Sequence, residues 1–203
     1  MIKEGTILFR FMRGEQMMNE MNEKKDQGMK GLCAELLKSR TIMLFGELNE
    51  EKCAAVVASM LYLQEQDPQK KITLYINSIG GSETEVLAIY DVMRHLSCPI
   101  ETICVGKAHG LSALILAGGS VGGRKAYANS EVMLMQVSRD RTFGQASDIE
   151  LETEHLLDAK NRICGILADL CKKDPEKIKA DMERKYWLYA DQAKEYGLID
   201  EVI

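Results

Sequence analysis

The stretch Gly106–Gly119, GKAHGLSALILAGG, decides how the chain is read. The β-branched run ETICV enters it as a strand, and the small-residue run SALILA leaves it as a helix. A turn between strand and helix is where α/β enzymes often display a nucleophile. Here the residue at the turn is Gly110. Whether the turn does chemistry, or frames a site that has dropped it, depends on what surrounds Gly110.

The same alternation extends outward in both directions. TIMLF (Thr41–Phe45) reads as a strand. A helix follows from Asn49, an N-cap residue with Glu50 and Glu51 in the first turn, and stops at Asp67-Pro68. KITLYI (Lys71–Ile76) is a strand that turns through NSIGG into a helix opening on a capping box, Ser82-x-x-Glu85. IETICV is the next strand; beyond the quoted turn come a glycine corner, GGSVGG, and the strand EVMLMQV. The spacing then predicts one long helix over Gln145–Cys171, with Ile149, Leu156, Ile163, Ile166, Leu167 and Leu170 as its apolar set. A helix well beyond the usual three or four turns either crosses the core or projects to meet a partner. Asp174-Pro175 starts another helix, and AKEYGLIDEV closes the chain with a glycine-stopped helix and a last strand. Alternating strands and helices imply βαβ units, a largely parallel sheet and an α/β fold.

Composition narrows the function classes. At 203 residues the chain has the size of one large domain, and a net charge of −5 with pI near 5.4 argues against nucleic-acid binding. No apolar run reaches the roughly 20 residues that span a bilayer, and the apolar part of MIKEGTILFRF is short for a secretory leader. The six cysteines are scattered without C-x-x-C pairing, and three histidines add little. Buried free thiols in a reducing compartment are therefore expected, with no metal site and no cofactor. Residues 1–32 form a distinct segment, Met-rich and charged, read either as a loosely ordered tail or as an adaptable contact surface. The main domain is 33–203.

Gly80-Gly81 and Gly110 each follow a strand, at the carboxyl ends where open α/β sheets bind ligands. They are either ordinary turn glycines or the frame of an oxyanion hole made from backbone N–H groups.

A resemblance bears on that choice. LYINSIGG, LAIYDVMRHL, TICVGKA, ANSEVMLMQ, GQASDIELETEHLL and YADQAKEYGLIDEVI, between Leu36 and Val202, follow in order the pattern of ClpP, the proteolytic subunit family of the Clp protease. The resemblance implies a ClpP/crotonase-like ββα superhelix with a projecting handle helix that interdigitates between two stacked heptameric rings. It also implies a Ser-His-Asp triad, whose three positions fall here at Gly110, Met135 and Lys185. Glycine supplies no nucleophile, methionine takes no proton, and lysine carries the wrong charge to hold an imidazole. The pattern thus resembles a ClpR-type subunit, a ClpP-like chain without the triad, found in cyanobacteria and plastids. On that resemblance the chain is a non-catalytic member of a heptameric Clp core. Its partners would be copies of itself, catalytic ClpP and a Clp ATPase chaperone. Its location would be a plastid stroma, the apicoplast included, or a cyanobacterial cytoplasm.

The family's other sites map residue by residue. The oxyanion amides correspond to Gly81 and Leu111, the ring–ring contact to Glu183, Arg184 and Lys185, and the ATPase-docking pocket to Tyr75. The aromatic two residues before Tyr75 is Thr73 here, and Lys185 reverses one charge at the ring contact. The groove also departs from the pattern: Ile79 replaces a proline, and QVSRDRTF (Gln136–Phe143) replaces a proline–glycine run. Two rival readings stand beside this one. A relocated peptidase would use His109 and Ser112, three residues apart, but lacks an evident third carboxylate. A crotonase-like acyl-CoA enzyme would share the fold but lacks an evident acid–base carboxylate near Gly110. His95 and His155 read as surface or interface residues.

Overall fold

The computed structural model describes residues 31–137 and 144–203. The N-terminal segment up to residue 30 and the charged stretch 138–143 lie outside the described residues. The chain from Arg40 to Ile203 is one compact unit, and 31–38 is helical (α1).

Strand β1 (Thr41–Leu48) leads through α2 (Glu50–Gln66) to β2 (Ile72–Gly81) and α3 (Glu83–His95). Strand β3 (Ile100–His109), the short helix α4 (Ser112–Ala117), β4 (Arg124–Ala126) and β5 (Glu131–Leu134) follow. The rest comprises the long α5 (Ala146–Cys171), α6 (Pro175–Met182), β6 (Tyr186–Tyr189), α7 (Ala190–Tyr196) and β7 (Glu201–Val202). The sheet runs β1-β2-β3-β4-β7, all parallel, and only β6 is antiparallel, against β5. The fold is the α/β, parallel-dominated architecture expected from the alternation.

The sheet forks at β3. Thr102–Cys104 pairs with β4, and Lys107–His109 pairs with β5. Between the two segments Gly106 has φ +85°, a value that L side chains rarely adopt. Its N–H donates to Ser130 Oγ, whose hydroxyl donates in turn to Cys104 O. The fork thereby sends the end of β3, with the Gly110 turn, toward β5 and β6.

Two strands are longer than their apolar runs. β2 continues past Ile76 to Gly81, and β3 past Val105 to His109. Pairing with β1 on one side and β3 on the other carries the polar residues Asn77 and Ser78 along the ladder. β4 and β6 escape sequence reading: β4 is three residues with two charges, and β6 is a run of large apolar residues that leaves Trp187 and Tyr189 exposed.

Helix starts follow expectation in two of three cases. Asn49 Oδ1 accepts from Lys52 N–H, and Asp174 Oδ1 accepts from Glu176 N–H ahead of Pro175. The capping box at Ser82 does not form. Ser82 is the N-cap of α3, but its hydroxyl bonds Thr84 Oγ1 at 2.9 Å and makes no cap bond.

The core is built from the inward residues of β1–β3, among them Leu44, Leu74 and Ile76, covered by Met60 of α2 and Ile89 of α3. α4 is wholly buried. Five cysteines are buried and all are free, with Cys33 exposed. Burial pushes the Cys104 thiol up to about 12 and the Cys171 thiol to about 11, so both act as small hydrophobes.

α5 does not cross the core. Its buried residues, Ala159, Ile163, Cys164, Leu167, Ala168 and Cys171, all lie in its second half. Ile149, expected on the apolar set, is 41% exposed, with Leu151 at 64% and Leu157 at 53%. The first half presents leucine and isoleucine to solvent in the single chain. Among the described residues, no helix is long and apolar enough to cross a membrane.

Candidate functional site

The parallel register of β2 and β3 sets Ser78 opposite Ala108. Two residues on, Gly80 and Gly110 emerge side by side, with φ of +89° and +58°. A Cβ on Gly80 would lie 3.1 Å from the Leu111 nitrogen and 3.2 Å from the His109 carbonyl oxygen, so the two turns pack backbone to backbone. At Gly81 a Cβ would collide with the Leu48 carbonyl across the β1 ladder. Ser78 pins the first turn: its hydroxyl donates to Gly46 O at 2.6 Å and accepts from Gly80 N–H at 3.0 Å. The two glycine turns thus do converge, as their place at the strand ends predicts.

The turns open into a groove of about 290 Å³. Its wall includes Ile79, Gly80, Gly81, Gly110, Leu111 and Met135. Met135 stands beside the glycine turn, its Cγ and Sδ 3.5 and 3.6 Å from where a Gly110 Cβ would be. Gly110 and Met135, which sequence reasoning pairs, are therefore neighbours in space.

Lys185 is exposed just before β6, yet close enough to His109 to disfavour its protonation. Its neighbour Glu183 holds Lys160 Nζ at 2.7 Å, a bond that keeps the carboxyl below its ordinary range. Arg184 is exposed beside them. Tyr75 is half-buried on β2, opposite the exposed Met43 of β1. Two residues earlier, Thr73 donates to Glu101 Oε2, which also accepts from Lys71. That end of the strand is polar rather than aromatic.

His109 and Ser112, three residues apart in sequence, do not meet as side chains. The Ser112 hydroxyl is fully buried and faces two backbone carbonyls, His109 O at 2.8 Å and Ser78 O at 2.9 Å. One hydroxyl hydrogen shared between two carbonyls serves to tie the turns together. The His109 ring points the other way. It meets the Trp187 ring nearly at right angles with centroids 4.9 Å apart, and Nε2 lies 3.0 Å from Glu131 Oε1 without hydrogen-bond alignment.

Two expectations need correcting here. A carboxylate does accompany His109, because β5 pairs with the end of β3 and brings Glu131 alongside. Carboxylates also stand near Gly110: Glu83, first residue of α3, and Glu47 of β1 both line the groove. An acid at a helix start complements the helix dipole, so Glu83 gives no separate signal in the sequence. Among the described residues, no group of three or more His, Cys, Asp or Glu side chains could hold a metal ion.

Burial pushes the His109 imidazole pKa down, Glu131 opposes this, and Lys107 and Lys185 reinforce it. A histidine with a depressed native pKa stays neutral while its unfolded counterpart protonates. Its contribution is therefore complete above about pH 6.5 and is lost as pH falls toward the native value. The expected result is that wild-type stability declines below pH 6.5 in urea titrations, and that His109→Phe flattens that slope.

Compared with known families, residues 24–203 match the family model described as Clp protease. The match takes in both glycine turns, the long helix and the closing strand, so the chain belongs to the Clp protease family.

Proposed function

We propose that the chain is a non-catalytic, ClpR-type ring subunit of a Clp protease core, supporting or modulating catalytic ClpP partners. The observation that carries this reading is the chemistry of the turn. Gly110 offers no nucleophile, Met135 beside it is no base, and the hydroxyl two residues on, Ser112, is buried against two carbonyls rather than an imidazole. Lys185 supplies a cation where the family pattern has an aspartate. The backbone of Gly81 and Leu111 keeps the turns in place with no charge to stabilise.

Assembly is supported by the first half of α5, whose exposed Ile149, Leu151 and Leu157 form no part of the chain's own core. Members of the family form ring oligomers that work with Clp ATPases. In this reading α5 is the handle, Glu183, Arg184 and Lys185 lie at the ring–ring contact, and Tyr75 marks the ATPase-docking face. The polar Thr73–Glu101–Lys71 group weakens that docking. The compartment is a plastid stroma, the apicoplast included, or a cyanobacterial cytoplasm.

Two measurements on the purified protein test this. A fluorophosphonate probe is expected to leave it unlabelled, and native mass spectrometry is expected to find it in sevenfold rings, alone or after mixing with active ClpP. Labelling that disappears in Ser112→Ala would overturn the catalytic half of the reading. A monomer in both mass measurements would overturn the assembly half.

A further inference from the structure

The groove beside Gly110 has a chemical bias that the loss of a triad does not explain. Glu83 and Glu47 line it, and among the described residues no lysine, arginine or histidine does. Glu83 is held in an unusual state. Its side chain is 11% exposed, and its Oε2 atom is fully buried with no hydrogen-bond partner among the described residues. Among the described residues, His155 of α5 stands beside it, its Nδ1 4.0 Å from the other oxygen, Oε1, beyond hydrogen-bond length. A carboxylate oxygen that has lost water without gaining a donor is destabilised. A donor arriving through the groove relieves that state, because the carboxylate can turn toward the space it already lines.

The remaining wall sets the shape of such a donor. Ile79 is 50% exposed, and with Met135 and Leu111 it offers an apolar surface beside the carboxylates. An ammonium or guanidinium on an aliphatic stem fits both parts, with methylenes on the thioether and the isoleucine and the charge on Glu83. Gly80, Gly81 and Gly110 leave the neighbouring backbone bare of side chains, so an extended chain can approach closely.

We propose that this groove is a binding site for a lysine or arginine side chain presented by an extended polypeptide, with Glu83 as the residue that selects the charge. The inference rests on the groove being catalytically silent, so that the segment is held and not cut. Glu47, at the solvent edge of the same groove, adds to the field without contacting the head group.

The test uses the full chain with 13C-methyl methionine, titrated with N-acetylated, C-amidated Ala-Lys-Ala and with its norleucine counterpart, while the Met135 methyl signal is followed. The lysine peptide is expected to shift that signal and to bind about tenfold more tightly, the size of one charge-assisted hydrogen bond. Glu83→Gln, which keeps the shape, is expected to bring the two peptides level. Equal or tighter binding of the norleucine peptide overturns the proposal, as does a lysine preference that survives in Glu83→Gln. Equal binding of free n-butylamine overturns the polypeptide part, because the charge would then be recognised without its chain. Cleavage of the lysine peptide, read by mass, would break the silent-groove reading yet leave the measured charge preference standing.

Discussion

Arg124→Ala is expected to lower the unfolding free energy by about 3–5 kcal/mol, the cost of breaking a buried ion pair from one side. Arg124 is 8% exposed. Its guanidinium reaches both Asp200 oxygens, donates to Gly197 O at 2.8 Å and approaches Leu170 O at 3.3 Å. One side chain thus joins β4, the end of α5, the C-cap of α7 and the turn into β7. Removing it leaves those carbonyls without their donor and leaves Asp200 with only the Gly122 and Arg124 amides. The loss should appear as a fall in the thermal midpoint of roughly 10 °C for a chain of this size. A fall of only a degree or two would mean that the network contributes little.

The same pair predicts a change in acid behaviour. Burial pushes the Asp200 carboxyl upward, but the bonds and charge of Arg124 outweigh it and hold the pKa below its ordinary value. A carboxylate depressed in the native state contributes stability that is present above about pH 3.9 and lost as pH falls through the native pKa. Arg124→Ala should therefore lose stability near neutral pH and show a shallower acid limb than wild type.

How much of this was legible beforehand depends on where the information sits. TIMLF and KITLYI announce β1 and β2 because each buries alternate apolar residues, and IETICV announces β3 as a β-branched run that buries Thr102, Ile103 and Cys104 in succession. The ends of β2 and β3 do not announce themselves, since Asn77, Ser78 and Lys107 are held by partner strands. β4 and β6 fail for the same reason: Arg124 finds its partner in Asp200, 76 residues away, and Tyr186–Tyr189 is defined by pairing with β5. At the site, both glycine turns could be placed at strand ends, but their adjacency is a property of parallel register. The orientation of Ser112 and His109 follows from where the strand ends and the helix begins, which sequence spacing leaves open. Glu131 and Glu83 were missed because one reaches the site across a strand pair and the other doubles as an ordinary helix-start acid.

The largest expected gain of function comes from putting back what Gly110, Met135 and Lys185 lack. The triple variant Gly110→Ser, Met135→His, Lys185→Asp is expected to take up a fluorophosphonate probe at residue 110, where the wild type takes up none. A side chain at 110 meets only ordinary contacts: its Cβ would lie 3.4 Å from Ile79 O and 3.6 Å from Met135 Sδ. A hydroxyl one bond further out is then within reach of an imidazole at 135. The backbone at φ +58° resists a side chain by about 1–2 kcal/mol. Triad members act as a unit whose loss costs on the order of 10⁶ in turnover. Gly110→Ser alone, facing a thioether, should therefore remain unlabelled. A labelled triple variant would mean that the turns kept a catalytic geometry after the side chains left. A folded but unlabelled triple variant would mean that the backbone itself has moved away from catalysis, and that the groove is now shaped by binding.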